Sequence, residues 1–114
     1  MTLSACGPPA VETFVAFAQP ADADRERGRL LASQHQCGSC HQIPEVPAAD
    51  GRVGPTLERF GRRSYIAGLQ PNGPASLARW IEDPQHLRPG TTMPDMGVPP
   101  AAARDIAAFL LSLR

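Results

Sequence analysis

The densest chemistry in the chain lies in five residues, Cys37-Gly38-Ser39-Cys40-His41. Two thiols three positions apart, with an imidazole beside the second, can serve three purposes. At the end of a helix they can reach the two vinyl groups of one porphyrin, and the adjoining imidazole then falls beneath the iron as an axial ligand. They can belong to a zinc site, which usually needs four ligands, with only the scattered His35 and His86 left to complete it. Or they can form a thiol-redox pair, which expects a βαβ setting. The motif in its context favours c-type haem attachment.

A small c-type electron carrier usually closes both axial positions of its iron, and downstream the chain offers His86, Met93 and Met96. A thioether is soft, uncharged and a poor donor to ferric iron, so it favours the ferrous state and raises the potential. A lone Met is otherwise core filler. Met93 stands in Arg88-Pro-Gly-Thr-Thr-Met93-Pro94, a proline-flanked loop that can hold a thioether over the distal face. Pro94 restricts the Met93 backbone toward extended geometry. Met96 lies beyond it beside Gly97. His86 would make a bis-imidazole site of lower potential, but it follows directly on Asp83-Pro84-Gln85. All three remain candidates on the residues alone.

The elements that must position these residues read as helices and loops. Asp24 is a plausible N-cap for a helix through Arg25-Glu26-Arg27 to about Gln36, with Leu30, Leu31 and Gln34 inward and Gly28 against the assignment. A long irregular stretch follows the Cys-His motif. Short helical pieces are expected around Leu57 to Phe60 and Ser64 to Ala67. A firmer helix runs from Pro74 to Asp83, ends before Pro84, and sets Leu77, Trp80 and Ile81 on one face. Residues 84–100, rich in Pro and Gly, read as loop. The last helix, about Ala101 to Leu113, carries Ile106, Phe109, Leu110 and Leu113 as one stripe. No strand pattern is visible, and the fold class is all-α. Residues 1–23 read as a tail or anchor segment and 24–114 as one domain.

Composition fits this picture. The 114 residues predict a single small domain. Hydrophobic residues make up 42%, too many for a disordered chain, but aromatics only 5%, so a large flat apolar cofactor would supply core that the side chains lack. Thirteen prolines are about twice the usual share of roughly 5% and fit long irregular loops. Eleven basic residues, all Arg, balance eleven acidic ones. That argues against a nucleic-acid binder, which normally carries a basic excess. No stretch approaches the ~20 apolar residues of a membrane-spanning helix.

From about residue 24 onward the chain resembles the class I single-haem c-type cytochromes. The matching pieces, in order, are Cys37-x-x-Cys40-His41, Val53-Gly-Pro55-Thr-Leu57, Phe60-Gly-Arg62, Trp80 ahead of Asp83-Pro84, Pro89-Gly-Thr-Thr-Met93-Pro94, and Arg104-Asp-Ile-Ala-Ala-Phe109-Leu-Leu-Ser-Leu113. The resemblance implies a cytochrome c fold, three to five helices with long loops around one haem c held through Cys37 and Cys40. It makes His41 and Met93 the axial ligands. Pro55 would offer a carbonyl to the free ring N–H of His41, while Arg62, Trp80 and Tyr65 would hold the haem propionates. The last helix would cross the first, with Phe109 where many relatives have Tyr. Tyr65-Ile-Ala-Gly68, Trp80-Ile-Glu-Asp-Pro84 and Met93-Pro-Asp-Met-Gly97 resemble the bacterial branch found beside, or fused to, haem-copper oxidase subunits.

The implied function is electron transfer between redox proteins of a respiratory chain, to or within a terminal oxidase, without catalysis. The alternative is a haem enzyme subunit or gas sensor with a displaceable distal Met. Haem c is attached outside the cytoplasm in bacteria, which implies a periplasmic location. Leu3-Ser-Ala-Cys6-Gly7 resembles the end of a lipoprotein signal peptide, with Cys6 as the lipidated residue. Five residues without a basic start or apolar core precede it, so Cys6 as an ordinary thiol is the other reading.

Overall fold

A computed structural model describes residues 22–114; the tail expectation and Cys6 lie outside them. The described residues hold four α-helices: α1 (Asp22–Gln34), α2 (Pro74–Glu82), α3 (Pro84–Leu87) and α4 (Pro100–Ser112). Two single 3-10 turns, Cys37–Ser39 and Phe60–Arg62, and one two-stranded antiparallel hairpin, β1 (Tyr65–Ile66) and β2 (Gln70–Pro71), complete the elements. Among the described residues the all-α expectation holds, apart from that hairpin and an isolated antiparallel bridge between Gln42 and Asp50.

Local residues set where α2 and α4 start and where α2 stops, whereas α1 begins at Asp22, so that Asp24 lies inside it and is not its N-cap. Pro74 and Pro100 open α2 and α4, where a missing N–H costs nothing and the fixed φ suits the first turn. Asp83 leaves helical geometry at φ −150° and ψ 77° and breaks α2 ahead of Pro84. Its carboxylate then accepts a hydrogen bond from the His86 amide at 3.2 Å and caps α3. The stretch read as continuous loop from residue 84 therefore begins with a helical turn, and Pro84 at its start is fully buried.

The core forms where α4 packs against α1, α2 and the Phe60–Arg62 turn. Ile106, Phe109, Leu110 and Leu113 are all buried, as their stripe predicts; such side chains contribute about 1.5–3 kcal/mol each when fully buried. The α1 face differs from expectation. Leu30 is 48% exposed and Gln34 is exposed, whereas Gly28 and Ala32 are buried. The reason is the closeness of the crossing. A Cβ on Gly28 would sit 1.9 Å from the Asp105 backbone oxygen, so only glycine lets α1 approach α4 there. Beside this contact Arg27 Nε donates to the Asp105 carboxylate at 2.9 Å, and Asp24 pairs with the same arginine. The α1–α4 crossing implied by the resemblance is present.

Between these helices the chain departs from helical expectation twice. Leu57 to Phe60 is not itself a helix; the turn falls at Phe60–Arg62, after Arg59 in the left-handed region at φ 55°. Residues 64–67 form the hairpin instead of a helix, because Ala67 and Gly68 both take positive φ (52° and 71°) and reverse the chain. Asn72 ties hairpin to turn: its side-chain amide donates to the Phe60 and Arg63 carbonyls at 3.2 and 3.0 Å. The Gly61 amide donates to the Leu113 carbonyl at 2.7 Å and fixes the turn to the end of α4.

Gly28→Ala should lower stability by about 1–3 kcal/mol, the usual cost of forcing atoms into a packed contact, because the obstructing atom is backbone. Denaturant unfolding measures this, and an unchanged midpoint would show that the helices separate freely.

Candidate functional site

The Cys-His motif follows α1 directly. After Gln34 the chain turns through Gln36 in the left-handed region (φ 61°) into the 3-10 turn Cys37–Ser39. The Cys40 and His41 amides both donate to the Cys37 carbonyl, at 3.3 and 3.0 Å. A tight turn thus presents the two thiols and the imidazole together. Burial pushes the Cys37 thiol above its ordinary pKa, and the nearby Cys40 adds to the effect.

Residues 42–57 wrap back over this turn by backbone bonds: Ile43 N–H to Ala49 O at 3.1 Å, Gly51 N–H to Gly38 O at 3.0 Å, Gly54 N–H to Cys40 O at 2.7 Å and Leu57 N–H to Gln42 O at 2.8 Å. The wrap brings the Pro55 carbonyl to 2.7 Å from His41 Nδ1. Nδ1–H donates to that carbonyl, so Nε2 carries the free lone pair and is the nitrogen available to a metal. Space for the ring comes from Gly54, where a Cβ would stand 2.4 Å from His41 Cε1.

All of this opens on one cavity of about 280 Å³. Cys37, Cys40, His41, Pro55, Trp80 and Met93 share its lining. Most of the remaining wall is apolar, with Ile43, Leu57, Leu77, Val98 and Ile106 among it. A flat apolar group therefore fits as part of the core. The donor set suits haem: two thiols, an imidazole with its Nδ1 engaged, and a thioether. Among the described residues no group of three or more His, Cys, Asp or Glu side chains gathers to hold a metal ion, which leaves the zinc reading without support, and no βαβ unit accompanies the thiols.

The sequence-based site residues do not all meet here. Arg62 is exposed and Tyr65 is 61% exposed, and neither lines the cavity. Met96 does line it while remaining 39% exposed. His86 lies outside the lining. Two arginines that the site reading passed over do line it, Arg63 and Arg88. Arg63 donates to the Thr56 carbonyl and lies over the Phe60 ring at 5.3 Å. Arg88 donates to the Ala67 carbonyl at 2.8 Å. The only available signal for them was their place beside Phe60-Gly-Arg62 and at the head of the Met93 loop.

The cytochrome c family matches residues 25–114. The chain belongs to that family. This cytochrome c domain is accordingly an electron-transfer protein of a haem c family. Its sequence is similar to cytochrome c oxidase subunit 2 of Alkalihalophilus pseudofirmus, 32% identical over 96 residues, which covers 84% of this chain and 27% of the relative. Subunit 2 of Bacillus subtilis is 30% identical over 70 residues (60% of this chain, 20% of the relative). That of Bacillus sp. strain PS3 is 34% identical over 59 residues (50% and 17%). The cytochrome thus spans only about a quarter or less of the length of these relatives. No solved structure gives a significant match. No helix among the described residues is long and apolar enough to cross a membrane.

Gly54→Ala should drive the His41 ring from its seat. Ordinary van der Waals separation requires a retreat of about 1 Å, enough to lengthen the bond to Pro55 beyond hydrogen-bond range. Faster solvent exchange of the His41 Nδ1 proton by NMR is the expected result; unchanged exchange would mean that the wrapping loop yields instead.

Proposed function

We propose that this domain relays single electrons through one haem c, bound covalently by Cys37 and Cys40 and ligated by His41 and Met93. One observation carries the reading: both thiols, the imidazole and the thioether share the lining of one apolar cavity, and His41 Nδ1 is already engaged by Pro55 at 2.7 Å. When bound, the haem supplies a reversible one-electron couple. The chain supplies the rest. Cys37 and Cys40 anchor the group, Pro55 fixes the tautomer and basicity of His41, and the apolar wall keeps water away. Met93 would hold the metal from the other side of the cavity, which would leave no substrate site there and make the domain a carrier without catalysis.

Trp80 with Arg63 and Arg88 would receive the propionates, since carboxylates at an apolar cavity need such donors. Arg62 and Tyr65 would have to reach them from beyond the lining. Residues 24–114 act as the cytochrome domain, in keeping with the family match from residue 25. Similarity to oxidase subunits 2 supports a haem-copper oxidase or a related respiratory complex as partner. It also supports a location outside the cytoplasm, where haem c is attached; a lipid on Cys6 rests on the Leu3-Ser-Ala-Cys6-Gly7 resemblance alone, with an ordinary thiol as the other reading.

Two experiments test this. Haem should remain with the polypeptide through acid–acetone extraction and denaturing electrophoresis; release of free haem would remove the covalent assignment. Met93→Ala should lower the potential, abolish the weak far-red sulfur-to-iron band and admit carbon monoxide to the reduced protein, while Met96→Leu leaves all three nearly unchanged. The reverse pattern would transfer the ligand role to Met96.

A further inference from the structure

The Met93 loop is held from behind by a side chain that no motif points to. Gln85 lies on α3, a single turn fixed by the Asp83 cap and by the fully buried Pro84. Both donors and the oxygen of its side-chain amide are engaged. Nε2 donates to the Thr91 carbonyl at 2.8 Å and to the Met93 carbonyl at 2.9 Å, and Oε1 accepts from the Gly90 amide at 3.3 Å. Two donors and an acceptor thus meet two acceptors and a donor of the same loop. The Met93 amide is directed to Thr91 Oγ1 at 3.5 Å, the outer limit of such a contact. Arg88, at the loop's start, is tied to the hairpin through Ala67.

These contacts have a shape suited to one task. Both carbonyls that Gln85 grips flank the Thr92–Met93 step, so the backbone that carries the thioether is set by α3 and does not rely on a bond at the sulfur. We propose that Gln85 is the positioning residue of the distal side: it preorganises the Met93 backbone and thereby sets how readily Met93 yields its place to an external ligand. The proposal rests on Met93 as the distal ligand. Its logic is that of any outer hydrogen bond that orients a ligand: a tethered backbone returns the thioether to its seat, whereas a released loop swings away at little cost.

The test uses the haem-loaded protein in its ferric state with imidazole as the competing ligand. Three readings are taken: imidazole affinity, the far-red band, and amide hydrogen exchange at Gly90. Gln85→Met keeps the length and removes all three hydrogen bonds. Gln85→Glu keeps the acceptor for Gly90 and removes both donors. Both variants should bind imidazole about tenfold or more tightly than the parent, the effect expected of one or two lost hydrogen bonds. Gly90 exchange should rise in Gln85→Met but stay slow in Gln85→Glu. That split separates the clamp on Met93 from general loosening of the loop. Parental imidazole affinity in Gln85→Glu would overturn the proposal, as would a rise in Gly90 exchange that tracks imidazole affinity in both variants. Met93→Ala serves as the reference. If the parent lacks the far-red band, or Met93→Ala retains it, the reading of Met93 falls; if Met93→Ala behaves as expected and the Gln85 variants match the parent, only the role of Gln85 falls.

Discussion

His41 stands against a carbonyl, and most of the site follows from that contact. The Pro55 oxygen at 2.7 Å decides which ring nitrogen is protonated and so which one can face a metal. For the carbonyl to arrive there, residues 42–57 must fold back over the Cys-His turn, and four backbone bonds hold them in that path. For the ring to fit, residue 54 must lack a side chain. The His41 wall of the cavity is therefore a backbone structure that depends on Cys37, Cys40 and His41 and on three glycines, Gly38, Gly51 and Gly54, where a Cβ would come within 2.6 Å of its neighbours.

The wall around Met93 is built on another plan. No comparable wrap supports Met93; its loop hangs between α3 and α4 and is secured by side chains, Gln85 from one direction and Arg88 from another. Backbone ladders are hard to disturb by substitution, whereas a side-chain clamp can be tuned one residue at a time. The two faces of the cavity thus differ in how far sequence variation can alter them without unfolding the domain.

The chain's sequence displayed the parts whose chemistry is local. The Cys-His spacing, the Pro-bounded Met93 loop and the stripe of α4 all depend on neighbours along the chain, and all share the cavity or core. What stayed hidden depends on distance between elements. Gly28 counts against a helix by propensity, yet the crossing with α4 requires it, and Leu30 lost its inward place for the same reason. Arg63 in place of Arg62 at the cavity is a matter of one residue's phase, set by the left-handed Arg59 just before the turn. Ala67 in positive φ gave a hairpin where side-chain pattern suggested helix. The cap for α3 was legible in Asp83-Pro84, but the abundance of Pro and Gly beyond it outweighed that signal. Gln85 left no trace, because its partners are carbonyls and an amide, which carry no identity in a sequence.

The ion pair from Arg27 to Asp105 joins residues 78 apart, and the Gly28 contact beside it closes nearly the whole described chain into a ring. Closing a loop of that length costs entropy that grows only as the logarithm of its size. It must be met, however, before the contacts inside the ring return anything, which favours slow, all-or-none assembly. The Cys-His turn, the wrapping loop and the Met93 loop all lie within that ring. A cut or a lost helix at either end would consequently release both walls of the cavity at once, so terminal truncation should act on this domain as an unlocking of its interior, not as a trimming of its edge.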